Sequence, residues 1–207
     1  MKPSVANRSS EQFEPAWDVA RLFPPQGSWS EEEYLDLPGN RLIELDDGRV
    51  EVLEMPSELH QFLVLFLYEA LVAYVRQRNL GWVVVAPMPV RLWEHKLREP
   101  DVLFMRREHA ARRHGTYWIG ADLVMEVMSP DDLKRDKDTK REEYARAGIP
   151  EYWLVDVVER TVTVFCLRAA ADPYAVHGVF GVGERAESPA LVGFGIEVQE
   201  LFAAGDP

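Results

Sequence analysis

Apolar positions along the chain fall into a helical rhythm and several strand-like ones. Phe62, Leu63, Phe66, Leu67, Ala70, Leu71, Tyr74 and Val75 recur three and four apart, which predicts one amphipathic helix over residues 58–78 with a broad buried face. Ser57 can cap it after the break at Met55-Pro56, and Asn79-Leu80-Gly81 stops it. Short β-rich runs are predicted at 41–46, 49–54, 82–86 and 90–93, and a further strand opens at Asp101. Asp47-Gly48 joins the first two as a hairpin turn that needs positive φ. Leu123 to Met128 is apolar apart from Glu126, as expected of a strand covered on both faces.

Punctuation fills in the rest. Ser30-Glu31-Glu32-Glu33 matches a capping box, so a short helix starts there and Pro38-Gly39 ends it. Residues 106–114 form a connector with one or two helical turns. Ser129-Pro130-Asp131-Asp132 offers caps for a helix over 132–147, closed by Gly148. Strands over 151–157 and 161–167 follow. The order strand, helix, strand implies a right-handed parallel crossover between the Glu126 and Trp153 strands. Weaker strands are predicted near Tyr174–Phe180 and Leu191–Val192, with a short closing helix at 198–202.

Composition narrows the class. The chain has 207 residues, 47% of them hydrophobic and 28% charged, which suits one globular domain over 28–207 behind an arm at 1–27 carrying Pro3, Pro15, Pro24 and Pro25. The lone Cys166 excludes an intrachain disulfide and fits a reducing compartment, and no Cys/His cluster suits structural zinc. The polar, acidic start is unlike a secretory signal, and the longest apolar run, Phe62 to Tyr68, falls short of the roughly 20 residues of a membrane span. A cytoplasmic protein away from membranes is expected. A net charge of −12 at first argues against nucleic acid. Its distribution is uneven: residues 1–60 hold 13 acids and 5 bases, which is −8 of the total. Basic residues gather instead at Arg106, Arg107, Arg112 and Arg113, and again at Lys134, Arg135, Lys137, Lys140 and Arg141. Such runs are commonly solvated faces.

Two carboxylates stand out against this background. Asp101 opens one apolar run and Glu126 interrupts another. A buried, unpartnered carboxylate costs several kcal/mol or protonates, so a lysine, an arginine or a metal ion should meet Glu126. On the helix that follows, Asp136, Lys140, Tyr144 and Gly148 stand four apart on one stripe, and packing of Tyr144 and Ala147 on the sheet would draw Lys140 inward. Lys137 is the substitute if the helix is rotated. Two acids and an ammonium suit Mg²⁺, with Mn²⁺ as a possible substitute. Such a hydrated ion can supply a nucleophilic water while Lys140 orients it or stabilises the growing anion.

The order Pro100-Asp101, Glu126-Val127-x-Ser129-Pro130, Asp136, Lys140, Tyr144, Gly148, Glu151-Tyr152-Trp153 and Asp156 resembles the bacterial putative restriction endonuclease family of the PD-(D/E)xK nuclease superfamily. Ile43-Glu44 before Asp47-Gly48, His60 at a helix start, Val192-Gly193-Phe194 and Leu201-Phe202 extend the likeness over residues 27–203. The resemblance implies an α/β (α+β) fold with a mixed β-sheet flanked by helices. It implies Asp101, Glu126 and the Val127 carbonyl as metal ligands, Glu44 as a further acid, and Mg²⁺-dependent hydrolysis of DNA, expected here from a homodimer. The superfamily's lysine normally stands two residues after the glutamate; Met128 occupies that place, so the role passes to Lys140. Plainer roles stand beside these. Asp101 could be a turn residue, Glu126 could pair with an arginine, and Glu44 could face solvent. His60 could cap or pack, and Tyr152 and Trp153 could be core aromatics. The rival function is a non-catalytic interaction protein that keeps the nuclease-like fold.

Overall fold

A computed structural model describes residues 23–37, 42–128, 134–169 and 172–205, with backbone only at 134–137. The elements in chain order begin with helix α1 (Glu31–Leu35) and the hairpin β1 (Ile43–Asp46) and β2 (Arg49–Val52). Helix α2 (Glu58–Arg78) leads to β3 (Gly81–Val85), β4 (Val90–Trp93), β5 (Lys96–Arg98) and β6 (Val102–Arg106). A 3-10 segment (Arg107–Arg112), β7 (Trp118–Ile119), β8 (Leu123–Met128) and α3 (Lys134–Arg146) come next. The chain finishes with β9 (Glu151–Asp156), β10 (Thr161–Cys166), β11 (Ala175–Phe180), β12 (Arg185–Glu187), β13 (Gly195–Glu197) and α4 (Val198–Ala203).

Local chemistry sets these boundaries. At α1 the Ser30 hydroxyl accepts from the Glu33 N–H while the Glu33 carboxylate accepts from the Ser30 N–H, so both partners of the capping box are present. The hairpin turn holds Asp47 at φ 46° and Gly48 at φ 77°, the left-handed geometry that a two-residue loop demands. Ser57 caps α2 by accepting from the His60 N–H at 3.2 Å, and Asn79 ends the helix at φ 55°. Gly81 is needed for close approach: a Cβ there would stand 1.9 Å from the Met105 carbonyl oxygen on the paired strand.

The main sheet is six-stranded, in the order β11-β10-β9-β8-β6-β3, and it is mixed. β8 and β9 are parallel, joined by α3 as the crossover, while β8 and β6 are antiparallel. Alternation along β6 sends Val102 and Phe104 to one core with Leu63, Leu67 and Leu71 of α2, and sends Leu103 and Met105 to the other with Tyr144 and Tyr152. All six residues of β8 are buried. A second sheet, β2-β1-β5-β4-β7, packs Ile43, Leu45 and Leu97 against Trp29 and Tyr34 of the α1 region.

Several expectations need correction. β5 and β7 were not anticipated. Leu191–Val192 is a turn with Val192 exposed, and the tail's strands lie on either side of it, as β12 and β13. Phe62, placed by its spacing on the buried face of α2, is largely exposed. By length and mean hydropathy, 1.4, α2 as a whole could cross a membrane, although its longest unbroken apolar run is short; in this fold Leu63, Val64, Leu67, Leu71 and Val75 pack into the core. Pro38-Gly39, the Ser129–Asp132 caps and residues 1–22 of the arm lie outside the described residues, as do the side chains of Lys134, Arg135, Asp136 and Lys137.

Glu151 ties the tail to the sheet. Its fully buried carboxylate accepts from Trp153 Nε1 at 2.5 Å, Ser188 Oγ at 2.9 Å and the Ala190 N–H at 2.8 Å. Burial nevertheless raises its pKa against those three donors. A raised folded-state pKa means stability that is complete below the unfolded value and lost as pH rises through the folded one. Glu151→Gln should flatten that decline while costing about 1–3 kcal/mol, because an amide NH₂ then faces a donor that needs an acceptor. Urea unfolding between pH 4 and pH 8 measures both effects.

Candidate active site

Asp101 immediately precedes β6. The antiparallel register pairs Val102 with Met125 and Leu103 with Val124, and continued by one residue it sets Asp101 opposite Glu126. Like charges in that position repel. The Val127 N–H donates to Asp101 Oδ2 at 2.7 Å, which holds the carboxylate against β8. His60, in the first turn of α2, brings Nε2 to 3.2 Å from the same oxygen.

Glu126 faces α3. Tyr144 OH donates to its Oε1 at 2.6 Å and Lys140 Nζ donates to the same atom at 3.3 Å. Burial, opposed by Lys140 and reinforced by the Asp101 charge, pushes the Glu126 pKa up to about 7. Lys140 lies 3.5 Å from Glu44 Oε1, and its side chain keeps 23% exposure, so it reaches solvent from an acidic pocket. Burial works against its charge, but Glu126, Glu44 and Asp101 outweigh it and raise its pKa. Lys140 is therefore a fixed cation and no general base. The positive group expected beside Glu126 is a lysine, and it is the one on the predicted stripe.

Glu44 is 1% exposed, so it does not face solvent. Its Oε2 accepts from Arg98 Nη1 at 2.6 Å and its Oε1 from the Glu99 N–H at 3.1 Å. Burial raises its pKa, yet Lys140 and Arg98 overcome this and hold it below the usual carboxylate range. Arg98 also grips Glu143 on α3 through Nε at 2.8 Å and Nη2 at 3.1 Å. Lys96 joins Asp46 at 2.5 Å to Glu143 at 2.6 Å. This layer was missed by reading the chain alone, although Glu44-Leu45-Asp46 and Lys96-Leu97-Arg98 are complementary alternating tripeptides. Glu99 was missed as well. Tyr34 OH donates to its Oε1 at 3.2 Å, and burial first of all pushes its pKa to about 7.

Three of the four arginines after Asp101 are engaged in local contacts. Arg106 Nη2 donates to the Ala190 carbonyl at 2.7 Å, Arg107 Nε to the Asn79 carbonyl at 3.2 Å, and Arg113 lies 4.0 Å from the Trp82 ring centroid. Tyr152 and Trp153 are buried core aromatics, Tyr152 stacking on Phe165.

The carboxylates of Asp101 and Glu126 and the carbonyl of Val127 are all oxygen donors, which suits a hard divalent ion. Among the described residues no three or more His, Cys, Asp or Glu side chains form a cage that could hold a metal ion. Ions that take one or two carboxylates and keep their waters need no such cage.

The family model Uma2, described as "Putative restriction endonuclease", matches residues 31–199. The chain belongs to the Uma2 family. No curated protein matches it. Among solved structures, a putative nuclease belonging to DUF820 from Anabaena variabilis superposes with a TM-score of 0.70 at 17% identity, over 85% of this chain and 98% of that one. That likeness establishes a shared nuclease-type fold. The mixed sheet flanked by helices, expected from the resemblance, is the observed architecture.

Proposed function

We propose that this Uma2 protein is a divalent-metal-dependent nuclease, with Mg²⁺ as the expected ion, that hydrolyses phosphodiester bonds in DNA. The observation carrying this reading is the register that sets Asp101 opposite Glu126 on adjacent strands, with Lys140 Nζ 3.3 Å from the Glu126 carboxylate. Asp101, Glu126 and the Val127 carbonyl would hold the ion, which when bound neutralises charge on a phosphoryl oxygen and lowers the pKa of water.

The chain's own groups do the rest. Lys140 presents N–H donors and a full positive charge toward the place where an anion grows, and its partial exposure gives a phosphate access to it. Tyr144, with burial raising its pKa, stays a neutral donor and fixes the Glu126 rotamer. Glu44, itself neutralised by Arg98, holds Lys140 from the far side. Homodimer formation, which would let two sites address two strands, and a cytoplasmic location belong to the same proposal; sedimentation as a monomer would remove the former.

The deciding experiment is a DNA cleavage assay with Mg²⁺, with and without EDTA, on wild type, Asp101→Ala and Glu126→Ala. Wild type alone should cut, and only with the ion. Equal cleavage by all three would reject the proposal. The rival reading as a non-catalytic interaction protein draws on the net charge of −12. Calorimetric titration separates the two, since a chain with no millimolar or better divalent site does no metal chemistry.

A further inference from the structure

Positive charge is scarce on this chain, whose net charge is −12, yet it collects at one end of the main sheet. Two segments far apart in sequence meet there: residues 76–82, from the end of α2 into β3, and residues 106–114, from the end of β6 through the 3-10 segment. The Arg107 N–H donates to the Leu80 carbonyl at 2.7 Å, and β3 pairs with β6 through Gly81 and Arg106. The two segments hold Arg76, Arg78, Arg106, Arg107, Arg112 and Arg113 against a single acid, Glu108. A neighbouring acid, Asp122, is 4% exposed and is taken up by His109 Nδ1 at 2.8 Å and the Arg106 N–H at 2.7 Å.

Arginines on an ordinary solvated face are not held in place, and several of these are. The Arg113 guanidinium lies over the Trp82 ring at 4.0 Å from its centroid, with that of Arg107 over the same ring at 5.4 Å. Arg107 also donates from Nε to the Asn79 carbonyl at 3.2 Å and from Nη2 to Asn79 Oδ1, and Arg78 lies 4.0 Å over Tyr74. All but Arg106 are exposed. Stacking uses the face of a guanidinium and leaves its in-plane N–H donors for another acceptor. Among the described residues neither Arg112 nor Arg113 spends its side chain on a hydrogen bond or an ion pair. A fork already held in place loses little freedom when it takes a phosphate, and cations gathered this closely repel until a polyanion relieves them.

We infer that this arginine patch is a docking surface for the sugar–phosphate backbone of duplex DNA, separate from the groups that would cleave it. The inference rests on the nuclease reading above, which makes DNA the polyanion. Asp101 immediately precedes β6 and Arg106 ends it, a separation of about 17 Å for an extended strand. One helical turn of duplex is about 34 Å long, so a single duplex has the length to meet both. Phosphate contacts of this kind add affinity and fix orientation without reading sequence.

The test is fluorescence anisotropy of a short labelled duplex in EDTA, which prevents cleavage, over about 50 to 200 mM NaCl. It compares the full chain as wild type, Arg112→Glu, Arg113→Gln and a triple variant of Arg78→Gln, Arg112→Gln and Arg113→Gln. Arg185→Gln is the control, since it removes an exposed arginine whose Nη1 is 2.9 Å from Glu197 on the tail. Circular dichroism verifies folding, and Arg112→Glu breaks no hydrogen bond or ion pair among the described residues, so it keeps the question open to measurement if the triple variant misfolds. Each phosphate contact removed should lower the slope of log affinity against log salt by about 0.9, so the triple variant should lose about 2 to 3 and bind at least about tenfold more weakly. Two duplexes of unrelated sequence should be affected equally, and Arg185→Gln should change affinity less than about twofold. A slope unchanged in the triple variant, or an Arg185→Gln loss as large as that of Arg113→Gln, overturns the patch and leaves the nuclease reading standing. Polyglutamate competing as well as unlabelled duplex at equal charge would assign the surface to an acidic protein and overturn it too. Weaker binding by the patch variants of a wild type that never cleaves with Mg²⁺ keeps the patch and removes the nuclease reading. A wild type that binds no duplex at about 50 mM salt overturns the patch, and Mg²⁺-dependent cleavage alone then decides the nuclease reading.

Discussion

Lys140→Met should lower the rate of DNA cleavage by about 10²- to 10³-fold while leaving divalent-ion binding, measured at about pH 9, at least as tight as in wild type. The two effects separate because Lys140 does two things at once. It supplies charge that a transition state needs, and at 3.3 Å from Glu126 Oε1 it also competes with an ion for that carboxylate. At pH 9 Glu126 is ionised in the wild type, since its pKa is about 7; removing the ammonium raises that pKa, but it also removes the ion's competitor, and a bound divalent ion supplies the charge that keeps the carboxylate ionised. Glu126→Gln makes the contrast. It keeps the shape and an acceptor for Tyr144, but it removes the charge, and both ion binding and turnover should fall, the latter by about 10³-fold as several kcal/mol of charge stabilisation is lost. Calorimetry and single-turnover cleavage on the same preparations measure the pair. A Lys140→Met protein that binds the ion more weakly would assign the lysine to the ion's surroundings instead of to the chemistry.

Which parts of this site can be read from the chain follows from how each residue is positioned. Asp101 and Glu126 declare themselves because a carboxylate inside a β-rich apolar run violates the pattern around it. Lys140 and Tyr144 follow from period-four spacing on a helix that must cross over a parallel pair of strands. The long helix α2 was legible to the residue, since its periodicity and its Ser57 and Asn79 ends agree. What was hidden depends on pairing between distant strands. Lys96-Leu97-Arg98 received no assignment from the sequence; only with β1 alongside does Leu45 meet Leu97 and the charges collect on the opposite face. Glu44 is expected as a further acid near the metal, yet its shortest contact is to Arg98, and no spacing within one segment foretells that. Phe62 shows the converse error: helical periodicity names the apolar stripe, but only the packed fold says where the stripe ends.

Arg98→Ala should be the most destabilising single change in this region, at about 3–5 kcal/mol, because it strands carboxylates that the fold has already removed from water. Arg98 is 4% exposed and spans two elements, with Glu44 on β1 at 2.6 Å and a two-pronged contact to Glu143 on α3. Among the described residues, deleting it leaves Glu44, 1% exposed, with Lys140 and the Glu99 N–H, and leaves Glu143 with Lys96. Arg98→Lys keeps the charge but loses the planar fork, so it should cost less than Arg98→Ala and still loosen the join between the second sheet and α3. Glu143 lies three residues beyond Lys140, on the same turn of helix. The clasp therefore sets the height of α3 over the strand that carries Glu126. Urea unfolding of Arg98→Ala, Glu143→Ala and the double variant gives the coupling directly. An interaction of about 2 kcal/mol is expected, within the range for residues sharing one ionic network. Additive single effects would mean that each residue acts through separate partners, and the helix would then be held over the site by the Lys140 and Tyr144 bonds to Glu126 and the Tyr144–Tyr152 packing.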